Sequence, residues 1–312
     1  DMAINLPIET VASHMVACDM RVVETGLKHG TITLYDDDDR IELTQTRVDL
    51  ETDGRHAIVA HDQDWARDAA RRDFTINALY LDSSGGIFDP LDGKADLLAG
   101  RLRFAGDAGL RVQEDALRMI RYCRFLPRFT ATGIDLQAQK ALREHASLCA
   151  GLSGERIANE LRRIMVGGGL KAVIGLMQDS KIDQAALGLS LDPSRLANDD
   201  EIRSMINGIG VNVDFAWLVN LAVAMPSGSA AFLAKRLRLS RAEERCFIRL
   251  DLGLGDDDMM MLSGARWRQA VYYLGDVAAL LFAVQSWRNG HALDAVRLAE
   301  FTSWTPPQNP IC

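Results

Sequence analysis

The chain has no apolar run approaching the roughly 18 residues that a membrane span requires. Its opening, DMAINLPIET, lacks the basic-then-apolar order of a secretory leader. A membrane role is set aside, and the cytoplasm is the expected compartment. The cysteines Cys18, Cys123, Cys149, Cys246 and Cys312 are odd in number, scattered and free of CxxC spacing. Neither a disulfide framework nor a zinc site is indicated, and buried apolar thiols are expected. The six histidines form no HExxH or HxxxH pair, which argues against a transition-metal enzyme. No sequence repeat is present.

What remains is an ordinary globular composition, 25% charged and 48% apolar, on 312 residues. That length accommodates two or three compact units. The net charge of -8 opposes a nucleic-acid partner only on average, because net charge sums over faces. Residues 101–128 carry Arg101, Arg103, Arg111, Arg118, Arg121, Arg124 and Arg128 against Asp107, Glu114 and Asp115, a local balance of +4. Residues 235–250 carry Lys235, Arg236, Arg238, Arg241, Arg245 and Arg249 against Glu243 and Glu244, again +4. An acidic chain thus contains two basic stretches.

The first hundred residues alternate as strands do. Thr31–Tyr35 and Ile41–Thr46 predict a hairpin around the polar turn Asp36–Arg40, and Ala78–Asp82 with Ile87–Asp89 predicts a second around Ser83-Ser84-Gly85-Gly86. The Asp36–Asp39 run reads as a solvated loop tip. After about residue 105 helical periodicity takes over, with breaks expected at 167–169, 191–194 and 253–258 and packed helices at 271–285 and 292–301.

Two charged clusters stand out: Arg71-Arg72-Asp73 running into the apolar FTINAL, and Glu114-Asp115-Ala116-Leu117-Arg118 about 35 residues later. Projected as one helix over 114–125, Glu114, Asp115, Arg118 and Arg121 share an arc opposite Ala116, Met119, Ile120 and Cys123. That arc is either a run of intrahelical ion pairs or a set of fixed donors and acceptors for a nucleobase edge, to which a planar guanidinium is suited. Arg121 and Arg124, one turn apart, suit a triphosphate, and Tyr122 either stacks or packs. Glu42 and Thr44 should face away from Ile41 and Leu43 on their strand. Asp1 is the nearest candidate for a second carboxylate beside Glu42.

RRDFTINALY, DPLDGKADLLAGRLRF, QEDALRMIRYCRF and GERIANEL, in that order and spacing, resemble the bacterial class II tRNA nucleotidyltransferase and poly(A) polymerase family. DMAINLPIETV resembles the end of that family's DxD metal motif, and IELTQTRVDLETDGRHA resembles the stretch with its third carboxylate and flexible loop. The likeness covers residues 1 to about 165, and LRLSRAEER more faintly.

The resemblance implies an α+β fold. A small nucleotidyltransferase β-sheet head over 1–104 would be followed by an all-helical neck over 105–166, a body over 167–252 and a partial tail over 253–312. It implies an enzyme that adds CCA to the tRNA 3′ end from CTP and ATP with Mg²⁺, choosing each base with protein side chains. Asp1 and Glu42 become the metal ligands and catalytic carboxylates. Arg72, Asp73 and Asn77 become nucleotide contacts, with Glu114, Asp115 and Arg118 as the base template and Arg121 and Arg124 in support. Asp49, Asp53, Gly54 and Arg55 fall in the flexible loop, and Glu155, Arg156 and Glu160 in a structural ERxxxE element. The family's GGxVRD stretch and first DxD aspartate have no counterpart, so an upstream segment is expected and the chain as written should be catalytically impaired. Two alternatives share these motifs in whole or part: a poly(A) polymerase or A-adding enzyme, and a helical RNA-binding protein without catalysis.

Overall fold

The computed structural model describes residues 2–27, 30–36, 39–52, 57–61, 63–129, 131–196 and 216–252. Packing divides the chain into one unit of residues 1–118 with 129–141 and another of 119–128 with 142 onward. The division crosses a helix between Arg118 and Met119.

The first unit opens with β1 (Met2–Ile4), α1 (Ile8–Ala17), β2 (Arg21–Gly26), β3 (Thr31–Asp36) and β4 (Asp39–Gln45). These strands form a sheet in the order β1-β4-β3-β2, with β1 parallel to β4 and the other pairs antiparallel. The expected hairpin is β3–β4, closed by the Asp36–Asp39 pair; residues 37 and 38 lie outside the described residues. Ile8, Val11 and Ala12, at helical spacing on α1, bury against Ile32, Leu34 and Leu43 of the sheet. Pro7 precedes α1 without a capping side chain, so the Ile8 N–H donates instead to Gln45 Oε1 at 2.9 Å.

A separate ladder, β5 (Arg47–Thr52) with β6 (Ala57–His61), follows. Next come α2 (Trp65–Ala70), a 3-10 turn at Thr75–Asn77, and the short hairpin β7 (Tyr80–Leu81) with β8 (Ile87–Phe88) where the second hairpin was expected. The unit continues through α3 (Gly93–Ala99) and α4 (Ala108–Glu114) into α5 (Leu117–Phe125). Asp64 starts α2 by accepting from the Ala66 N–H at 2.8 Å, and Asp107 starts α4 by accepting from the Leu110 N–H at 2.8 Å. Gly93 presses its α-carbon onto the Thr75–Asn77 turn, where a β-carbon would sit 2.1 Å from the Thr75 carbonyl oxygen.

Among its described residues the second unit has helices and no strands. Helix α6 (Leu136–His145) leads to α7 (Gly154–Met165), α8 (Leu170–Asp179) and α9 (Ile182–Leu187). Then follow α10 (Ala216–Ala224), α11 (Ala230–Leu237) and α12 (Arg241–Leu252). The expected breaks occur at Gly169, whose φ of 67° starts α8, and at the 3-10 turn Pro193–Arg195. The break at 253–258 and the helices at 271–285 and 292–301 lie outside the described residues. Helix α10 is buried on all sides, and the Asn220 Nδ2 amide donates to the Met165 carbonyl at 2.6 Å. Cys123 and Cys149 are buried as expected, but Cys18 is exposed, because it follows the last turn of α1 rather than facing the sheet.

Gly93→Ala should force α3 off the Thr75 turn and destabilise the first unit by about 1–3 kcal/mol. Thermal unfolding checks it; an unchanged melting curve would rule out the close approach.

Candidate functional site

The residues around Arg71-Arg72-Asp73 are organised by a carboxylate that the sequence reading did not single out. Asp68, on α2, has no solvent exposure. Its Oδ1 accepts from Arg71 Nη2 at 2.6 Å, Arg71 Nε at 2.8 Å and the Arg47 backbone N–H at 3.2 Å. Its Oδ2 accepts from the Tyr80 hydroxyl at 2.5 Å, Arg72 Nη2 at 2.8 Å and Arg72 Nε at 3.2 Å. Burial alone would raise the Asp68 carboxyl. The Tyr80 hydrogen bond and the Arg71 and Arg72 charges overcome it and hold the group below the ordinary carboxylate range. The same contact, added to burial, pushes the Tyr80 phenol up to about 12. The Arg72 guanidinium lies 5.9 Å over the Tyr80 ring, and Tyr80 continues into an aromatic row with Trp65 at 5.0 Å and Phe88 at 6.2 Å.

Two further arginines hold the backbone of the same segment. Arg111, 8% exposed, donates through Nη2 to the Arg72 carbonyl at 2.7 Å and also to the Arg71 carbonyl. Arg118, equally buried, donates from Nε to Asp73 Oδ1 at 2.8 Å and from Nη2 to the Arg71 carbonyl at 3.2 Å. Its Nη1 donates to the Arg111 carbonyl at 2.9 Å and to Glu114 Oε2 at 2.7 Å, and Glu114 also receives Arg111 Nη1. The two charged clusters of the sequence therefore meet in one hydrogen-bonded assembly.

The single helix projected over 114–125 is corrected by the structure. Helix α4 ends at Glu114, Asp115 is extended at φ -148° and ψ 103°, and α5 begins at Leu117. The reason is local: Asp115 Oδ1 accepts from the Leu117 N–H at 3.1 Å, so the aspartate starts a new helix instead of continuing the old one. Tyr122 is completely buried and packs.

A second buried carboxylate supports the other flank. Asp96 on α3 accepts from the Thr75 hydroxyl, Arg101 Nε and Arg103 Nε, each at 2.7 Å. Burial would raise it, but the bonds from Thr75, Arg103 and Arg101 hold it below its usual value. The Thr75 N–H donates to the Arg103 carbonyl at 3.1 Å and the Ala105 N–H to the Asp73 carbonyl at 3.1 Å, joining the segment to residues 103–105. A signal for both carboxylates was available: Asp68 stands three and four residues before Arg71 and Arg72, and Asp96 precedes two arginines from an apolar helix.

Glu42 is exposed on β4 opposite Thr33, on the face away from Ile41 and Leu43, and makes no side-chain hydrogen bond or ion pair among the described residues. Its carboxylate is thus a free oxygen donor of the type a hard divalent cation takes. No group of three metal-ligating side chains converges among the described residues. Asn77 is exposed on the 3-10 turn. Asp49 pairs with Val59 through the β5–β6 ladder. Asp1, Asp53, Gly54 and Arg55 lie outside the described residues.

In the second unit, Arg121 and Arg124 both turn to Glu160, with Nε at 3.2 Å from Oε1 and 2.9 Å from Oε2. Glu160 is 4% exposed. Glu155 is exposed and pairs with Arg238 at 2.7 Å, and Arg156 is half-buried.

A small four-stranded sheet, an arginine-clamped RRD segment and, among the described residues that follow, helices alone are the arrangement of a polymerase-type nucleotidyltransferase head followed in sequence by helices. Residues 1–103 match the family described as "Poly A polymerase head domain", and residues 133–186 match "Probable RNA and SrmB- binding site of polymerase A". These two matches place the poly(A) polymerase head and its RNA-binding segment on this chain in that order. It is 35% identical over 266 residues to the mitochondrial CCA tRNA nucleotidyltransferase 1 of Danio rerio, covering 83% of this chain and 61% of that protein. Against the Homo sapiens protein of that name it is 41% identical over 186 residues, 59% of this chain and 42% of the relative. Against the CCA-adding enzyme of Lactobacillus johnsonii it is 32% identical over 179 residues, 57% and 45% of the two chains. The chain thus spans less than two thirds of each of these relatives. The fold is also that of the Bacillus stearothermophilus CCA-adding enzyme solved in complex with CTP, with a TM-score of 0.76, 21% identity and coverage of 96% of this chain and 71% of that one. No described helix is long and apolar enough to cross a membrane.

Asp68→Asn should cost about 3–5 kcal/mol of stability, toward the lower figure because Arg72 is 34% exposed. Absorbance titration should then find the Tyr80 phenol falling from about 12 toward its ordinary 10. An unmoved phenol would remove Asp68 as its partner. Because Asp68 and Asp96 are both depressed on folding, their stabilisation is complete above the unfolded carboxyl value of about 3.9 and is lost as pH falls through the lower folded values. Acid unfolding of Asp96→Asn should accordingly be less steep below about pH 4 than that of the parent.

Proposed function

We propose that this chain adds CCA to the 3′ end of tRNA from CTP and ATP without a nucleic-acid template. The observation that carries the reading is the 2.8 Å bond from Arg118 Nε to Asp73 Oδ1, which unites two motifs 45 residues apart in sequence. A nucleotide site needs charged groups whose positions are fixed before the ligand arrives. Arg72, half-buried and aimed by Asp68, supplies a held cation for the nucleotide. Asp73 lies beside it for the sugar, and Asn77 is exposed for the same ligand. Glu114, Asp115 and Arg118 form the base template, and the names of the curated relatives favour CCA addition over poly(A) synthesis.

In the reaction the tRNA 3′ oxygen loses its proton and forms a bond to the α-phosphorus of CTP or ATP. The bond to the β-phosphate bridging oxygen breaks, and pyrophosphate leaves. Mg²⁺ is the cation that the oxygen donors Glu42 and Asp1 suit, and when bound it supplies charge neutralisation to the phosphates. Asp49, Asp53 and Arg55 stand as the loop, Arg121 and Arg124 as supports, and Glu155, Arg156 and Glu160 as the structural element. The cytoplasm is the proposed compartment, although some relatives are named as mitochondrial.

The full-length protein, given tRNA lacking its 3′ end, should incorporate CMP twice and AMP once and then stop. Failure to incorporate CMP at any magnesium concentration would sink CCA addition, and a long adenosine ladder would substitute poly(A) synthesis. Asp73→Ala should reduce incorporation on the order of 10–100-fold by removing the carboxylate placed for the sugar and the acceptor of Arg118 Nε.

A further inference from the structure

Helix α12 carries Arg241, Arg245 and Arg249 at successive four-residue steps, so they fall on one stripe of its surface. All three are exposed, and none makes a hydrogen bond, ion pair or ring contact among the described residues. The steps are about 6 Å each along the axis, about 12 Å in all.

The helix that carries the stripe is firmly held. Ser240 and Glu243 form a reciprocal cap, with the Ser240 N–H donating to Glu243 Oε2 at 2.9 Å and the Glu243 N–H to Ser240 Oγ at 3.3 Å. Glu243 Oε1 also receives Arg162 Nη2 from α7 at 2.7 Å. At the far end, buried Asp251 accepts from the Gly228 N–H at 3.0 Å and the Ala230 N–H at 2.7 Å, tying α12 to the start of α11. Phe247 and Leu250 are fully buried on the inner face.

Against that support the stripe is electrostatically unfavourable in the isolated protein. Arg241–Arg245 and Arg245–Arg249 are like-charge pairs at the spacing where they repel. Arg241 also sits in the first turn, where the helix dipole disfavours a cation. Glu243 is engaged by Arg162, and Glu244 makes no ion pair with any of the three. Among the described residues no acidic side chain pairs with the stripe to offset this repulsion, whereas a polyanion would. A duplex strand presents one phosphate per roughly 3.4 Å of axis, so the stripe spans several.

We infer that Arg241, Arg245 and Arg249 form an RNA-backbone contact on α12, outside the 133–186 segment matched to an RNA-binding family model. The inference rests on the reading of this chain as an enzyme acting on tRNA, and it names where part of that RNA is gripped. The contact is to phosphates and carries no base selectivity.

The test uses the full-length protein with the three arginines changed together to glutamine, and separately to lysine. Affinity for tRNA is measured from about 50 to 200 mM salt, the range over which phosphate contacts are most visible. The glutamine variant should fold normally by circular dichroism and bind tRNA roughly tenfold or more weakly at low salt. Its log–log salt slope should be smaller by about 2–3. The lysine variant should recover most of the affinity, since phosphate contact needs the charge more than the fork. Unchanged affinity and slope in a folded glutamine variant would overturn the inference, as would absence of tRNA binding by the parent. If the parent binds tRNA with this dependence yet incorporates no nucleotide, the catalytic reading fails and the contact stands.

Discussion

The first unit depends on a carboxylate without water. Asp68 is closed off from solvent and carries two guanidiniums, a phenol and a backbone N–H on its two oxygens. A charge so placed is tolerable only while its partners stay, so it fixes the side-chain directions of Arg71, Arg72 and Tyr80 together. With those directions set, the carbonyls of Arg71 and Arg72 are held by Arg111 and Arg118, and Asp73 is delivered to Arg118 Nε. One buried charge thus propagates into the geometry of a segment five residues away.

The same device recurs through the described residues. Asp96 gathers Thr75, Arg101 and Arg103, and Glu160 gathers Arg121 and Arg124. Asp183 accepts from the Ser190 hydroxyl at 3.0 Å and the Leu191 N–H at 2.9 Å, and Asp251 anchors the start of α11. Each of these acids is buried. Asp68, Asp96 and Glu160 each hold two arginines, so burial withdraws positive as well as negative charge, and the net charge of -8 describes no single face. An acidic chain can still present a cationic helix face because Arg241, Arg245 and Arg249 are gathered on one stripe.

The β3–β4 hairpin, the turn to helices after residue 105 and the outward Glu42 were legible from alternation and periodicity, because those patterns are repeated over many residues. The break at Asp115–Ala116 was not. Glu114 and Arg118 are ion-paired at four-residue spacing whether or not the helix continues between them, so periodicity cannot distinguish the cases. Asp68 escaped notice for a related reason. Carboxylates three and four residues from arginines are usually exposed and worth little, and only burial contributed in part by Tyr80 and Arg47, remote in sequence, changes their weight. Arg121 and Arg124 were legible as two cations one turn apart, but the partner that engages them, Glu160, lies 39 residues further along the chain from Arg121.

Arg118 has five N–H donors, and four hydrogen bonds to Asp73, Glu114 and two carbonyls already occupy its guanidinium. Any base that draws on this side chain competes with the protein's own acceptors and gains only the difference. A correct partner that replaces the displaced bonds loses little, whereas an incorrect one leaves a buried acceptor bare and loses the desolvation cost of that group. Occupancy of this kind makes rejection steeper than attraction. Under the proposed base-selecting role, discrimination would rest less on how tightly the right base is held than on what must be given up for the wrong one.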